Sequence, residues 1–214
     1  MTVTYGRFLT VEGIEGVGKT TQVSHIARAL QERGVTPVMT REPGGTPLAE
    51  SIRKLVLHAD AEVVPPMAEL LLMFAARAVH LTNFIEPHLR AGRWVICDRF
   101  TDATYAYQGA GRGMSEEAIG SLETLVQGLR RPDLTLLLDV PVKTGLQRAQ
   151  RRDAGKTQDR FERERAEFFE RVRAGYLARA RAAPQRIVVI DAARSVAEVS
   201  AQIVTALEAR SWIS

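Results

Sequence analysis

The chain is poor in features that mark several specialised protein classes. It holds a single cysteine among 214 residues. No intramolecular disulfide can form, and the place of Cys97 in the apolar run Trp94-Val-Ile-Cys97 marks it as a small packed hydrophobe. The N-terminal Met1-Thr-Val-Thr-Tyr-Gly-Arg7 lacks the apolar core of a secretory signal and leads directly into a first strand, so a cytoplasmic location is expected. No apolar run approaches membrane-spanning length, and no membrane insertion is expected. Internal repeats, low-complexity tracts and interior linkers are also missing, which leaves residues 1–214 as one expected domain.

Two sequences that specify particular nucleotide hydrolases are absent as well. No Asn-Lys-x-Asp occurs, which removes the guanine-reading element of GTPases. Neither Asp98 nor Asp139, each ending an apolar run, is followed by the glutamate that water-activating ATPases place there. The net charge is only +4, and much of the basic surplus lies between Arg148 and Arg181. There it alternates with Glu162, Glu164, Glu167 and Glu170, the pattern of a solvated helix face rather than a phosphate-tracking stripe, so nucleic acid is not an expected partner.

What is present begins with Gly13, Ile14, Glu15, Gly16, Val17, Gly18, Lys19, Thr20 and Thr21, set between an apolar run and an amphipathic one. This is the Gly-x-x-x-x-Gly-Lys-Thr phosphate cradle in the strand-to-helix context it requires, and it predicts ATP binding. Gly16 and Gly18 permit the tight turn that aims backbone N–H groups at phosphate oxygens, and Lys19 adds a point charge. Thr20 offers a hydroxyl to Mg²⁺, and the helix from Lys19 directs the positive end of its dipole at the same anion.

Apolar runs and helical patterns alternate along the chain. Strands are predicted at Arg7–Glu12, Thr36–Thr40, Arg93–Cys97, Leu134–Asp139 and Arg186–Asp191, short and apolar at successive positions as strands covered on both faces are. Helices are predicted at Lys19–Arg33, Pro47–His58, Pro66–Arg90, Ser115–Leu129, Val142–Arg152, Phe161–Ala182 and Ser195–Arg210. The order predicts an α/β fold, a three-layer doubly wound sheet of five parallel strands of the P-loop NTPase kind. Ligands of such sheets bind at the carboxyl ends of the strands.

Clusters with chemical potential stand at those ends. Arg41-Glu-Pro43-Gly-Gly-Thr46 follows the second strand, with a helix cap at Thr46 as the plainer reading. Asp98-Arg99-Phe100 follows the third: Asp98 suits a Mg²⁺-bound water and Arg99 the bidentate grip of a phosphate, although Asp139 competes by pattern for the metal role. On the third helix Phe74 and Arg77 share a face and together could meet a flat ligand, or else be core and snorkelling cation. The basic, glycine-centred stretch from about 148 to 160 reads as a mobile lid, or as a solvated loop.

Taken together, these segments resemble bacterial thymidylate kinase, a nucleoside monophosphate kinase family, over essentially the whole chain. The resemblance rests on the cradle, on Thr40-Arg-Glu-Pro-Gly-Gly-Thr46, Met73-Phe-Ala-Ala-Arg77, Asp98-Arg-Phe-Thr-Asp-Ala-Thr-Tyr-Ala-Tyr-Gln108, Arg131-Pro-Asp-Leu-Thr-Leu-Leu-Leu-Asp139, and Asp159-Arg160 in the lid. It implies transfer of phosphate from ATP to dTMP with Mg²⁺, in dTTP synthesis, by a homodimer. By position it implies that Phe74 stacks on thymine and Arg77 donates to its O4. Thr104 and Gln108 lie by the base, Tyr107 crowds the sugar C2′, Glu15 approaches the 3′-hydroxyl, Arg41 and Pro43 flank the acceptor, and Arg99 holds its phosphate. The cradle contains no arginine, so the catalytic cation is expected from the lid, with Arg151, Arg152 and Arg160 as candidates. The lid is longer, around Ala154-Gly-Lys156, than the compact bacterial pattern, and Ala103 replaces a frequent serine. The alternatives are a P-loop kinase for another small acceptor, and a nucleic-acid-stimulated ATPase.

Overall fold

A computed structural model describes residues 5–58, 62–154 and 159–213. Five strands, β1 (Phe8–Glu12), β2 (Val38–Arg41), β3 (Val95–Asp98), β4 (Leu134–Asp139) and β5 (Ile187–Asp191), form one sheet in the order β2-β3-β1-β4-β5. Every neighbouring pair is parallel. β2 and β3 end one residue later than the sequence suggests, at Arg41 and Asp98, because these residues continue the ladder, with Val11 and Arg41 both opposite Asp98. The carboxyl ends of three strands therefore meet. They meet where the order of the strands reverses beside β1, the position at which open α/β sheets bind ligands.

Alternation along the strands divides the core into two layers. Leu9, Val11 and Ile96 pack with Ile26 and Leu30 of α1 (Lys19–Gln31) and with Ile203 and Leu207 of α9 (Val196–Glu208). Phe8, Val95 and Cys97 point the other way, into a cluster with Leu81, Ile85, Leu89 and Phe100. Cys97 is buried and free, as its run predicts. The remaining helices are α2 (Pro47–Leu57), α3 (Pro66–His80), α4 (Glu86–Arg90), α5 (Thr101–Thr104), α6 (Glu116–Gln127), α7 (Val142–Arg152) and α8 (Ala166–Ala182).

Three stretches differ from expectation. The predicted helix 66–90 is continuous but contains a π-helical turn, Leu81–Ile85, just before Pro87; proline lacks the N–H for the next helical bond and crowds the carbonyl four residues back, and a wider turn relieves both. This 25-residue stretch, with a mean hydropathy of 1.3 in its most apolar window, does meet the length and composition of a membrane span, contrary to the sequence reading. Leu70, Phe74, Ile85 and Leu89 are nevertheless buried in the protein, and so are the charged or polar Glu69, Arg77 and His80, so it is a core helix.

A helix at 101–111 was not foreseen. α5 passes into a π-helical turn, Tyr105–Gly111. Residues 101 to 109 are all buried, so no amphipathic period announces them, and threonine, tyrosine and glycine are weak helix formers. Gly175 of α8 lets that turn approach closely, since a Cβ there would lie 2.7 Å from the Ala110 Cβ. Finally, α8 begins at Ala166 rather than Phe161. Asp159 caps a separate turn, its carboxylate accepting from the N–H groups of Phe161 (2.8 Å) and Glu162 (2.9 Å) while Glu162 accepts from Asp159 N–H (3.0 Å).

Candidate active site

The cradle bends as its glycines allow: Gly13, Gly16 and Gly18 have φ of 133°, 73° and 93°. Gly16 is also packed against α7, where an added Cβ would stand 1.9 Å from the Gly145 carbonyl oxygen. Ile14 and Val17 turn into the core, so they offer a ligand only their backbone. Lys19 is buried and its Nζ donates to the Gly13 and Ile14 carbonyls at 3.1 and 2.8 Å, which holds the ammonium inside the loop it serves. Burial and the Arg99 charge lower its pKa, while Glu15 and Asp98 oppose the shift.

A cavity of about 600 Å³ opens from this loop. Gly16, Gly18, Lys19, Thr20 and Thr21 form its floor at the N-terminus of α1. Asp98 and Thr20 both face it, whereas Asp139 does not and is held by Arg173 at 2.7 and 2.8 Å. Of the two aspartates, only Asp98 is therefore placed beside the cradle. One hydroxyl and one carboxylate beside a phosphate cradle fit Mg²⁺, which keeps most of its waters and shares phosphate oxygens. Among the described residues no cluster of three or more histidine, cysteine or carboxylate side chains forms an all-protein metal cage.

Arg99 is the pivot between cradle and cavity. Its backbone is left-handed, with φ of 71°, a conformation that costs a non-glycine residue on the order of 1–3 kcal/mol. Glu12 at the end of β1 steadies that turn: it accepts from the Phe100 N–H and the Tyr176 hydroxyl, each at 2.7 Å. Burial, reinforced by the charge of Asp102, raises the Glu12 pKa to about 8. The Arg99 guanidinium donates to the Gly13 carbonyl (2.7 Å), the Tyr176 hydroxyl (3.0 Å) and Glu15 Oε1 (2.7 Å), and lies 4.8 Å from the Tyr107 ring centre. Tyr107 also donates to Glu15 at 3.2 Å. Burial alone would raise the Glu15 pKa, but Arg99, Lys19 and the Tyr107 hydroxyl bring it down to about 2.

On the far wall stand Arg41, Pro43, Met73, Ala103 and Gln108. Arg41 is tied to Glu50 at 3.0 Å. Thr46 caps α2 through Ala49 N–H at 3.4 Å, and Gly45 makes room for the Thr40–His80 hydrogen bond, since a Cβ there would lie 2.4 Å from both partners. Phe74 does not line the cavity. It packs with Leu70, Tyr105 and Ile119, and Met73 takes the wall. On a helix it is the residue four before Arg77 as well as the one three before that shares its side, and this spacing was the signal overlooked.

Arg77 and Thr104 also lie behind the wall. Arg77 is fully buried, donating through Nε to Glu42 (2.8 Å) and through NH2 to Thr104 (3.0 Å), and sandwiched 4.9 and 5.0 Å from the rings of Phe74 and Phe100. Its NH1 is buried without a partner, and so is Oε1 of Gln108.

The lid arginines separate. Arg152 and Arg148 reach the cavity. Arg152 donates through Nε (2.8 Å) and NH2 (2.5 Å) to Asp153 and through NH2 to Glu162 (3.3 Å), and its side chain is half exposed; Arg148, overlooked in the sequence, donates to the Ala192 carbonyl at 2.8 Å. Arg151 is exposed at the end of α7 and does not line the cavity. Arg160 is turned the other way, to the carbonyls of Val56 and Leu57 and to Glu69. Gly155 and Lys156, the added lid residues, lie outside the described residues.

Residues 11–203 match the family model described as Thymidylate kinase. The chain belongs to the thymidylate kinase family. A thymidylate kinase of Chromohalobacter salexigens is 57% identical over 98% of this chain and 100% of its own length. One from Teredinibacter turnerae is 56% identical over 95% of this chain and 98% of its own. The crystal structure of thymidylate kinase from Ehrlichia chaffeensis superposes with a TM-score of 0.75 at 36% identity, covering 95% of this chain and 99% of that one. Family and fold thus agree with the resemblance drawn from the motifs.

Proposed function

We propose that the chain transfers the γ-phosphoryl group of ATP to the 5′-phosphate of dTMP, giving ADP and dTDP for dTTP synthesis. The observation that carries this reading is Arg99, whose single guanidinium spans the cradle carbonyl of Gly13 and the Glu15 carboxylate at the mouth of the acceptor pocket. Transfer is direct, without a covalent enzyme intermediate. The transition state spreads charge over phosphoryl oxygens, so positioning and fixed positive charge carry the catalysis, and the acceptor, already an anion, needs no strong base. Lys19 and the backbone of residues 13–21 hold the donor phosphates, Arg99 the acceptor phosphate, and Arg152 supplies the lid cation. Thr20 and Asp98 hold Mg²⁺, which when bound neutralises and orients the donor phosphates.

On the acceptor side, Met73 lies against the base and Gln108 answers its polar edge, while Arg77 braces the wall from behind through Glu42 and Thr104. Tyr107 borders the sugar, and Arg41 and Pro43 close the flank. Residues 148–160 act as the lid that excludes water and suppresses plain ATP hydrolysis. Exposed Leu48 and Leu55 on α2, Met67 and Leu71 on α3, and Leu125 on α6, with α3 packed against both α2 and α6, are apolar side chains that support a homodimer. A cytoplasmic setting follows from the two nucleotide substrates. The test is a coupled assay of ADP release, expected to depend on added dTMP and to stay near background with ATP alone; acceptor-independent release would return the chain to the ATPase reading.

A further inference from the structure

Behind the cavity wall a buried carboxylate fixes the direction of the Gln108 amide. Gln108 is 1% exposed and lies on the wall. Its Nε2 donates to Glu69 Oε1 at 2.8 Å, and its Oε1 is the end left without a partner. Glu69, on the first turn of α3, has no exposure. The same carboxylate accepts from Arg112 at 3.4 Å and from Arg160, and Arg112 is itself held by Glu164 at 2.5 Å. A carboxylate clasped by two guanidinium groups only accepts hydrogen bonds, so the amide can turn only its NH₂ end toward it.

We infer that Glu69 is a positioning residue for acceptor choice. It locks Gln108 with the carbonyl oxygen free to accept from a base N–H, while Arg160 ties the root of the lid to the same carboxylate. The inference rests on the reading of Gln108 as a base-facing residue. Locked in this way, Gln108 Oε1 is a fixed acceptor on the wall. This acceptor complements a pyrimidine imide, which offers an N3–H. It opposes cytosine, whose bare N3 offers only a lone pair there. Freed from Glu69, the amide can turn over and the opposition to cytosine weakens.

The test compares dTMP and dCMP as acceptors for the full chain and for Glu69→Gln, Arg160→Gln and Gln108→Leu. For Glu69→Gln the expected result is a dTMP KM raised about tenfold and a preference for dTMP over dCMP lowered about tenfold, with kcat for dTMP and the KM for ATP within about threefold. Arg160→Gln shifts KM and preference in the same direction by a smaller factor. A purely structural role would lower the active fraction, reducing kcat for both acceptors equally and leaving KM and the preference alone. That outcome, or an unchanged preference in both Glu69→Gln and Arg160→Gln, overturns the inference; if Glu69→Gln does not fold, Arg160→Gln decides it. Gln108→Leu separates the two levels: an unchanged dTMP KM there means that the base-facing reading itself has failed, whereas a raised KM with an unaffected Glu69→Gln refutes the role of Glu69 alone.

Discussion

Replacing Glu15 by glutamine removes a charge whose worth can be read from its titration. The Glu15 pKa lies at about 2 in the folded chain against an ordinary 4.5, and this difference amounts to about 3 kcal/mol of stability at neutral pH. The sign follows from the depression: the contribution is complete above pH 4.5 and is lost as the pH falls toward 2. By the same linkage about 1 kcal/mol survives at pH 3, so about 2 kcal/mol disappears between pH 7 and pH 3. Glutamine keeps the shape and cannot titrate. Urea unfolding of both proteins at pH 7, 5, 4 and 3 is expected to show the parent ahead at pH 7, with the gap closing by about 2 kcal/mol by pH 3. At neutral pH the gap corresponds to a lower melting temperature for Glu15→Gln of roughly 6–12 °C, taking about 2–4 °C per kcal/mol for a chain of this size. A gap that stays constant across this range would refute the ion pair with Arg99 as its source.

Three further outcomes follow from the same geometry. Met73→Ala raises the dTMP KM with the ATP KM unchanged, whereas Phe74→Ala lowers stability by about 3–5 kcal/mol and leaves the dTMP KM of the folded fraction near normal; steady-state kinetics with urea unfolding on each variant checks the pair, and the reverse pattern would restore Phe74 to the pocket. Arg152→Ala lowers kcat by on the order of 10³ or more, while Arg160→Ala and Arg151→Ala each change kcat by less than about tenfold; single-turnover rates with saturating dTMP distinguish them. Asp102, buried and bonded to Arg186 at 2.6 and 2.9 Å and to Arg179 at 3.0 Å, loses its charge in Asp102→Asn, leaving two arginines short of a partner, and unfolding at pH 7 is expected to show a loss of about 3–5 kcal/mol.

The elements that can be read from sequence are those whose surroundings impose a period or a run. The inner strands β1, β3 and β4 are covered on both faces, and their unbroken apolar runs place them to within about two residues; the edge strands β2 and β5 keep one face half exposed and are found as closely from their own short apolar runs. Cradle and glycines are legible because the phosphate-binding turn demands positive φ at fixed spacing. The helix at 101–111 was not legible, since a segment buried on every side has no polar face to set its phase, and its π-turn depends on the close approach of Gly175. At the site, the identity of Arg99 could be read but not its hold on the Gly13 carbonyl, which arises from tertiary contact across β1 and β3. Face arithmetic on α3 put Phe74 beside Arg77 and passed over Met73, and only tertiary packing shows Phe74 among Leu70, Tyr105 and Ile119 and Met73 on the cavity wall. Composition likewise could not separate the lid arginines, because the partner that turns Arg160 away is Glu69, some ninety positions earlier in the chain.

The most direct measurement gives the enzyme ATP, Mg²⁺ and an equimolar mixture of dTMP, dCMP, dGMP and AMP, and separates the nucleotides by chromatography as ADP accumulates. The account predicts that dTDP appears in step with ADP while the other three monophosphates persist. Formation of another diphosphate in preference to dTDP, or ADP without any new diphosphate, would contradict it.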